Sequence, residues 1–342
     1  MFVIIVDIHA HAFPYLGGAS GYKDSETHLR YLQRGLSGAT HMKVKGTLPL
    51  PDEDVNFRVG KYGKFEWMKN GEECFIQWMP PSLVDNTWPP ESMLAHMDWI
   101  GVDVGVLYQA HLYGHLNEYL ADCVKRWPDR FIGMAQFEET ELYKEPMLQE
   151  LRHVINDLGL KGLYYNIPKR ERVDDEKFDS VWDEVLRLKI PIMWDIGRRP
   201  TAKEYLDVIS GLERLMKRFP DIPGVVTTMA SNLKWPTDPE HLDNPRELAN
   251  LLSLPNVYYE IGYVLAFDLY EEYPYPQNLK ITKAAYEQFG AEKLLWGADM
   301  PALMRSCTYR QSLDFVRIHC DFMSEEEKDL VLGGNAARLF NL

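Results

Sequence analysis

The scarcities of this sequence narrow it first. Four of its 342 residues are cysteine (Cys74, Cys123, Cys307 and Cys320), and no two form a Cys-x-x-Cys pair. That fits free thiols in a reducing compartment, here taken as the cytoplasm, better than a disulfide framework. Basic residues are outnumbered, 37 lysines and arginines against 51 aspartates and glutamates, for a formal charge of −14. The densest basic run, Lys169-Arg170-Glu171-Arg172, is too short to track a phosphate backbone, so nucleic acid is not an expected partner. No apolar run nears the roughly 20 residues of a membrane span. The apolar opening, Met1 to Val6, runs at once into Asp7 and two histidines, so neither a membrane segment nor a secretory leader is expected. Also absent are internal repeats, low-complexity tracts and any Gly-x-Gly-x-x-Gly turn after the first apolar run, which argues against a dinucleotide fold.

What is present begins with that first run. Val3-Ile4-Ile5-Val6-Asp7-Ile8-His9-Ala10-His11 reads as a strand buried on both faces, ending in a His-x-His pair before Pro14. Side chains alternate along a strand, so His9 and His11 share a side, where two imidazoles can grip one metal ion. From residue 14 to about 90 periodicity lapses and glycine, proline and aromatics crowd in. Lys61 to Met68 and Cys74 to Met79 read there as small antiparallel strands about a Lys69-Asn70-Gly71 turn, the makings of an inserted lid or cap. A helix is expected from Pro90, with Met93, Met97 and Ile100 on one face.

Helices and apolar strands then alternate. Strands are expected at Val104 to Ala110, Phe131 to Phe137, Leu160 to Asn166, Ile190 to Ile196, Gly224 to Ala230, Val257 to Ile261 and Lys293 to Asp299, with helices such as Phe178 to Leu188 and Tyr205 to Phe219 between them. Eight strands predict an α/β fold, a single (β/α)8 TIM barrel over residues 1–342 carrying the insertion. Near the end, Ser324 and Glu327 form a capping box, and Gly333-Gly334 reads as a helix stop before Asn335 restarts one.

Such barrels place their chemistry at the C-terminal strand ends, which makes His9, His11, Tyr108, His111, Glu138, Asn166, Asp195, Thr227 to Ser231, Glu260 and Asp299 candidates by position. Two histidines with carboxylates suit one divalent ion, zinc or manganese by ligand type. Arg198 could fork onto a substrate carboxylate, and Glu260 is a second candidate substrate contact.

Asp7-Ile8-His9-Ala10-His11, Met97-Asp98-Trp99-Ile100-Gly101-Val102-Asp103, Trp296-Gly297-Ala298-Asp299-Met300-Pro301 and Gly334-Asn335-Ala336-Ala337-Arg338-Leu339 fall in an order that resembles the amidohydrolase superfamily. The similarity is to the branch containing aminocarboxymuconate-semialdehyde and γ-resorcylate decarboxylases, and it spans the chain. It implies a barrel in which His9, His11 and Asp299 bind the metal, with Asp299 also handling a proton. Members of that branch usually carry a metal-binding histidine after strand five and a catalytic one after strand six. This chain has Asp195 and Thr227-Thr228-Met229-Ala230-Ser231 there. Asp195 is then the expected replacement ligand, and His111 or His241 the replacement proton carrier. The expected activity is non-oxidative decarboxylation of a small unsaturated or aromatic carboxylic acid. Hydrolysis of a lactone or amide, and a metal-free ligand-binding barrel, stay open as alternatives, as does assembly into a homodimer or higher homo-oligomer.

Overall fold

The structure, a computed structural model, describes residues 4–39, 42–169, 171–197, 199, 201–227, 245–267 and 271–342. Its frame is a sheet of eight parallel strands. These are β1 (Val6–Ala10), β6 (Val104–Leu107), β7 (Phe131–Ala135), β8 (Gly162–Asn166), β9 (Ile192–Asp195), β10 (Gly224–Thr227), β11 (Val257–Ile261) and β12 (Leu294–Trp296), paired in that order. Ala10 bridges to Met300 in parallel, which brings the exit of β12 back to β1 and makes the sheet a (β/α)8 barrel. The strands are apolar runs because both faces are covered. Alternate residues Val6, Ile8, Val104, Val106, Ile132, Met134, Met193, Val225 and Leu295 share one cluster inside the barrel, which Ala336, Leu339 and Phe340 close from the C-terminal helix.

The surrounding helices are α2 (Pro90–Ile100), α3 (Asn117–Arg126), α4 (Glu145–Asn156), α5 (Asp179–Leu188), α6 (Ala202–Arg218), α7 (Arg246–Leu252) and α8 (Pro276–Phe289). α2 buries Pro90, Met93, Met97 and Ile100, as its spacing requires. α6 starts three residues before the apolar pattern does, because Thr201 and Glu204 close a capping box there. Most barrel strands are shorter than their apolar runs: the ladder ends at Leu107, Ala135 and Thr227, and the residues beyond turn out to form the rim.

Between β1 and α2 lies the insertion. Its two ends are pinned together, Phe13 and Trp88 exchanging backbone hydrogen bonds of 2.8 and 3.0 Å. It holds α1 (Ser25–Leu36) and an antiparallel sheet of β2 (Lys43–Lys45), β3 (Arg58–Val59), β4 (Lys64–Lys69) and β5 (Glu72–Gln77) in the order β2-β5-β4-β3. The β4–β5 hairpin turns on Asn70 and Gly71, with φ of 54° and 77°, the positive pair that a two-residue hairpin loop needs.

The Gly333-Gly334 stop is a correction. The chain passes from α10 (Glu325–Asp329, after the short α9, Tyr309–Asp314) through a wide helical turn, Leu330–Gly334, directly into α11 (Asn335–Phe340), and Gly334 keeps a helical φ of −57°. Gly333 serves close packing instead: a Cβ there would lie 1.7 Å from the Ile4 carbonyl oxygen. The capping box of Ser324 and Glu327 is present.

Candidate metal centre

The centre is built where β1 ends and β12 lets go of the sheet. Simple alternation does not deliver the two histidines there. Between Asp7 and Ala10 β1 advances three residues while β6 advances two, from Gly105 to Leu107, a bulge that re-aims the side chains beyond it. Asp7 anchors the bulge. Its Oδ1 accepts from the backbone N–H groups of His9 and Ala298, both at 2.9 Å, and its Oδ2 from the Tyr309 hydroxyl at 2.8 Å. Burial pushes the Asp7 carboxyl up to about 7 against those donors, so only a hydrogen-bonded aspartate is tolerated at this depth.

The segment after β12 then zips to β1: Asp299 N–H donates to His9 O at 2.8 Å, and His11 N–H to Met300 O at 2.9 Å. Asp299 holds φ at 61°, a left-handed conformation that costs a non-glycine residue about 1–3 kcal/mol and marks functional sites. Side chains 288 residues apart in sequence thereby meet.

Each imidazole has its Nδ1 committed. His11 Nδ1 lies 2.6 Å from the Tyr108 carbonyl, which can only accept, so Nδ1 carries the proton. His9 Nδ1 lies 2.6 Å from Oε1 of Glu260, whose Oε2 accepts from the Thr227 hydroxyl. Both Nε2 atoms face Asp299: its Oδ1 is 3.1 Å from His11 Nε2 and 3.6 Å from His9 Nε2. The three ligating atoms lie within 4.8 Å of one another, a group able to hold one metal ion. Backing a ligand histidine with a carboxylate is how metal sites fix the tautomer and raise ligand basicity. Burial pulls His9 down, but the charge and hydrogen bond of Glu260, with Asp299 behind them, push it up to about 9. His9 is stacked on Tyr263 at 4.5 Å, and Tyr113 lies 4.6 Å from His11.

Other expected site residues fall as follows. Asp195 lies outside the His9–His11–Asp299 group: its Oδ2 accepts from Tyr164 and Asn166, both at 2.5 Å, and its Oδ1 from Gly197 N–H at 2.7 Å. His111 pairs through Nε2 with Oε2 of buried Glu139 at 2.7 Å, and Glu139 Oε1 accepts from Asn166 N–H at 3.1 Å. Burial lowers the His111 imidazole, but the Glu139 charge and hydrogen bond outweigh it and hold the ring above its ordinary value. Glu138 instead accepts from the Tyr31 hydroxyl of α1 at 3.2 Å. Glu260 stands behind His9. Arg198, His241 and the segment Thr228 to Ser231 lie outside the described residues.

Sequence reasoning passed over Glu139, the Glu260–His9 pair and Arg305. Arg305 is buried, donating to the Trp78 carbonyl of the insertion at 2.7 Å and to the Ala266 carbonyl at 3.0 Å. It also stands 4.0 Å from Asp299 Oδ2. The Asp-x-Pro stretch gave no pointer to a cation four residues beyond Pro301.

This geometry agrees with a match to the amidohydrolase family profile over residues 6–342. The chain belongs to the amidohydrolase family. Members of this family are enzymes, and the barrel recurs in solved structures. A probable 2-pyrone-4,6-dicarboxylic acid hydrolase from Acinetobacter baumannii, crystallised with citric acid, aligns over 99% of both chains with TM-score 0.61 and 17% identity. 5-Carboxyvanillate decarboxylase from Sphingomonas paucimobilis aligns with TM-score 0.51 and 20% identity, over 73% of this chain and 82% of its own. A dihydroxybenzoic acid decarboxylase from Polaromonas, which holds manganese and the inhibitor 2-nitroresorcinol, gives TM-score 0.52 at 18% identity over 73% of this amidohydrolase and 85% of that chain. No curated protein matches the sequence. Among the described residues no helix is long and apolar enough to cross a membrane, and none of the four cysteines is disulfide-bonded.

Proposed function

We propose that this amidohydrolase is a metal-dependent, non-oxidative decarboxylase of a small unsaturated or aromatic carboxylic acid. One observation carries the reading: two imidazoles with fixed Nδ1 protons turn their Nε2 atoms toward one buried carboxylate oxygen. His9, His11 and Asp299 would hold the ion, manganese or zinc by donor type. Bound there, it would supply Lewis-acid stabilisation of substrate oxygen. The decarboxylases that share the barrel support the choice of reaction, and the manganese held by the Polaromonas one the choice of ion.

The protein's own groups supply the rest. As the carbon–carboxylate bond breaks, its electron pair stays on carbon and needs a proton. His111, whose ring Glu139 holds above its ordinary value, is the assigned donor, in place of the histidine missing after β10. Asp195 is assigned to orient Tyr164 and Asn166 at the rim, and Arg198 remains the proposed carboxylate contact.

Hydrolysis of a lactone is the second reading. The observation favouring it is that the 2-pyrone-4,6-dicarboxylic acid hydrolase-like barrel aligns along the whole chain, insertion included. Incubating metal-loaded protein with carboxylated phenols, muconate-type acids and lactones in D2 18O, so that solvent hydrogen is read as deuterium, separates the two. Release of CO2 with solvent hydrogen placed on carbon supports decarboxylation; 18O in a new carboxylate without CO2 overturns it in favour of hydrolysis.

A further inference from the structure

Tyr108 is the first residue beyond β6. Its ring lies 4.6 Å from that of His9 and 5.2 Å from that of His11, and its carbonyl fixes the His11 tautomer. The residue is 1% exposed, and its phenolic oxygen is buried with no hydrogen-bond partner among the described residues. Its neighbour is treated differently. Tyr164, stacked on Tyr108 at 4.6 Å, gives its hydroxyl to Asp195. A buried hydroxyl without an acceptor is a cost that phenylalanine would avoid at the same volume, so its presence calls for a reason.

The surroundings supply one. Its ring packs against both ligand histidines, so the unpartnered hydroxyl lies at the wall of the metal-binding group. It can donate beside the metal-binding group, where Glu260 is already taken up by His9 and Thr227. We propose that Tyr108 is a catalytic hydrogen-bond donor, aimed at an anionic oxygen of the ligand that binds at His9, His11 and Asp299. The assignment rests on the metal-site reading above. A donor fixed in a dry site is most effective where negative charge gathers on oxygen, so it selects ligands carrying a carboxylate or comparable oxyanion.

The test compares wild type, Tyr108→Phe and Tyr164→Phe. Manganese content is measured first, then thermal unfolding without added ligand, then calorimetric titration of manganese-loaded protein with oxalate. Tyr108→Phe should keep wild-type manganese content and unfold at the same or a higher temperature, yet bind oxalate about 10- to 100-fold more weakly, the range for a hydrogen bond to a charged group. Tyr164→Phe, which strips a donor from Asp195, should unfold at a lower temperature. Oxalate affinity unchanged in Tyr108→Phe, or a fall in its unfolding temperature, overturns the proposal and leaves the metal site standing. Wild type that retains no manganese overturns the metal reading itself, and with it the ligand Tyr108 is assigned to meet.

Discussion

Replacing Glu260 by glutamine removes one charge from behind His9 while keeping the contacts. The amide oxygen can still accept from His9 Nδ1, 2.6 Å away, and the amide nitrogen can donate to Thr227. The geometry survives, so the effect is electronic and runs in two directions. Without Glu260's charge His9 falls from about 9 toward the ordinary imidazole value of about 6.5. A metal must displace the His9 proton, so wild-type affinity should climb about tenfold per pH unit up to about 9 and then level off. The variant should level off some two units lower. Above pH 9, where no proton competes, the variant should bind metal about 10- to 100-fold more weakly, or about 1.4–2.7 kcal/mol, because its His9 is a poorer ligand. At pH 7 the easier deprotonation, worth about 100-fold, offsets that loss in full or exceeds it. Chelator competition across this pH range reads both effects. Parallel profiles for the two proteins, differing at most by a constant, would refute the claim that Glu260 acts through His9.

Three further outcomes are expected. His111 is held above its ordinary value in the fold, so the stability it adds is fully present below about pH 6.5 and is lost as pH rises through the folded value. If its protonated form is the acid, activity falls over the same upper range, and Glu139→Gln should move that limb to lower pH; an unmoved limb assigns the proton to another group. Asp195→Ala removes the acceptor of Tyr164, Asn166 and Gly197 and should cost about 1–3 kcal/mol in denaturant unfolding with metal content intact, whereas loss of metal would make Asp195 a ligand. Gly333→Ala forces a Cβ to within 1.7 Å of the Ile4 carbonyl and should lower the unfolding temperature although alanine is the better helix former; an equal or higher temperature would mean that β1 and this turn are not in close contact.

The barrel was legible because parallel strands covered on both faces are written as separate apolar runs, and eight such runs alternate with helices. His9, His11 and Asp299 were legible for a related reason: a charged or imidazole side chain directly after an apolar run has few structural uses. What sequence leaves out is register. The bulge between Asp7 and Ala10 adds one residue against β6, and no residue type announces it. The pairing of His9 with Glu260 joins positions 251 residues apart and depends on where β11 lies against β1 in the closed barrel. At the exit of β7 Glu138 and Glu139 are adjacent, and the direction in which the chain leaves the sheet decides which of them meets His111. Gly333 and Gly334 were read through local helix chemistry, when their use lies in the close approach of Gly333 to the first strand.

The central claim is that His9, His11 and Asp299 hold one divalent ion. Elemental analysis of protein purified from manganese- and zinc-supplemented growth tests it most directly, with His9→Ala, His11→Ala and Asp299→Asn beside wild type. About one ion per wild-type chain, and its loss from each variant, is the predicted result. A full complement of metal in all three variants, or wild type without metal, contradicts it.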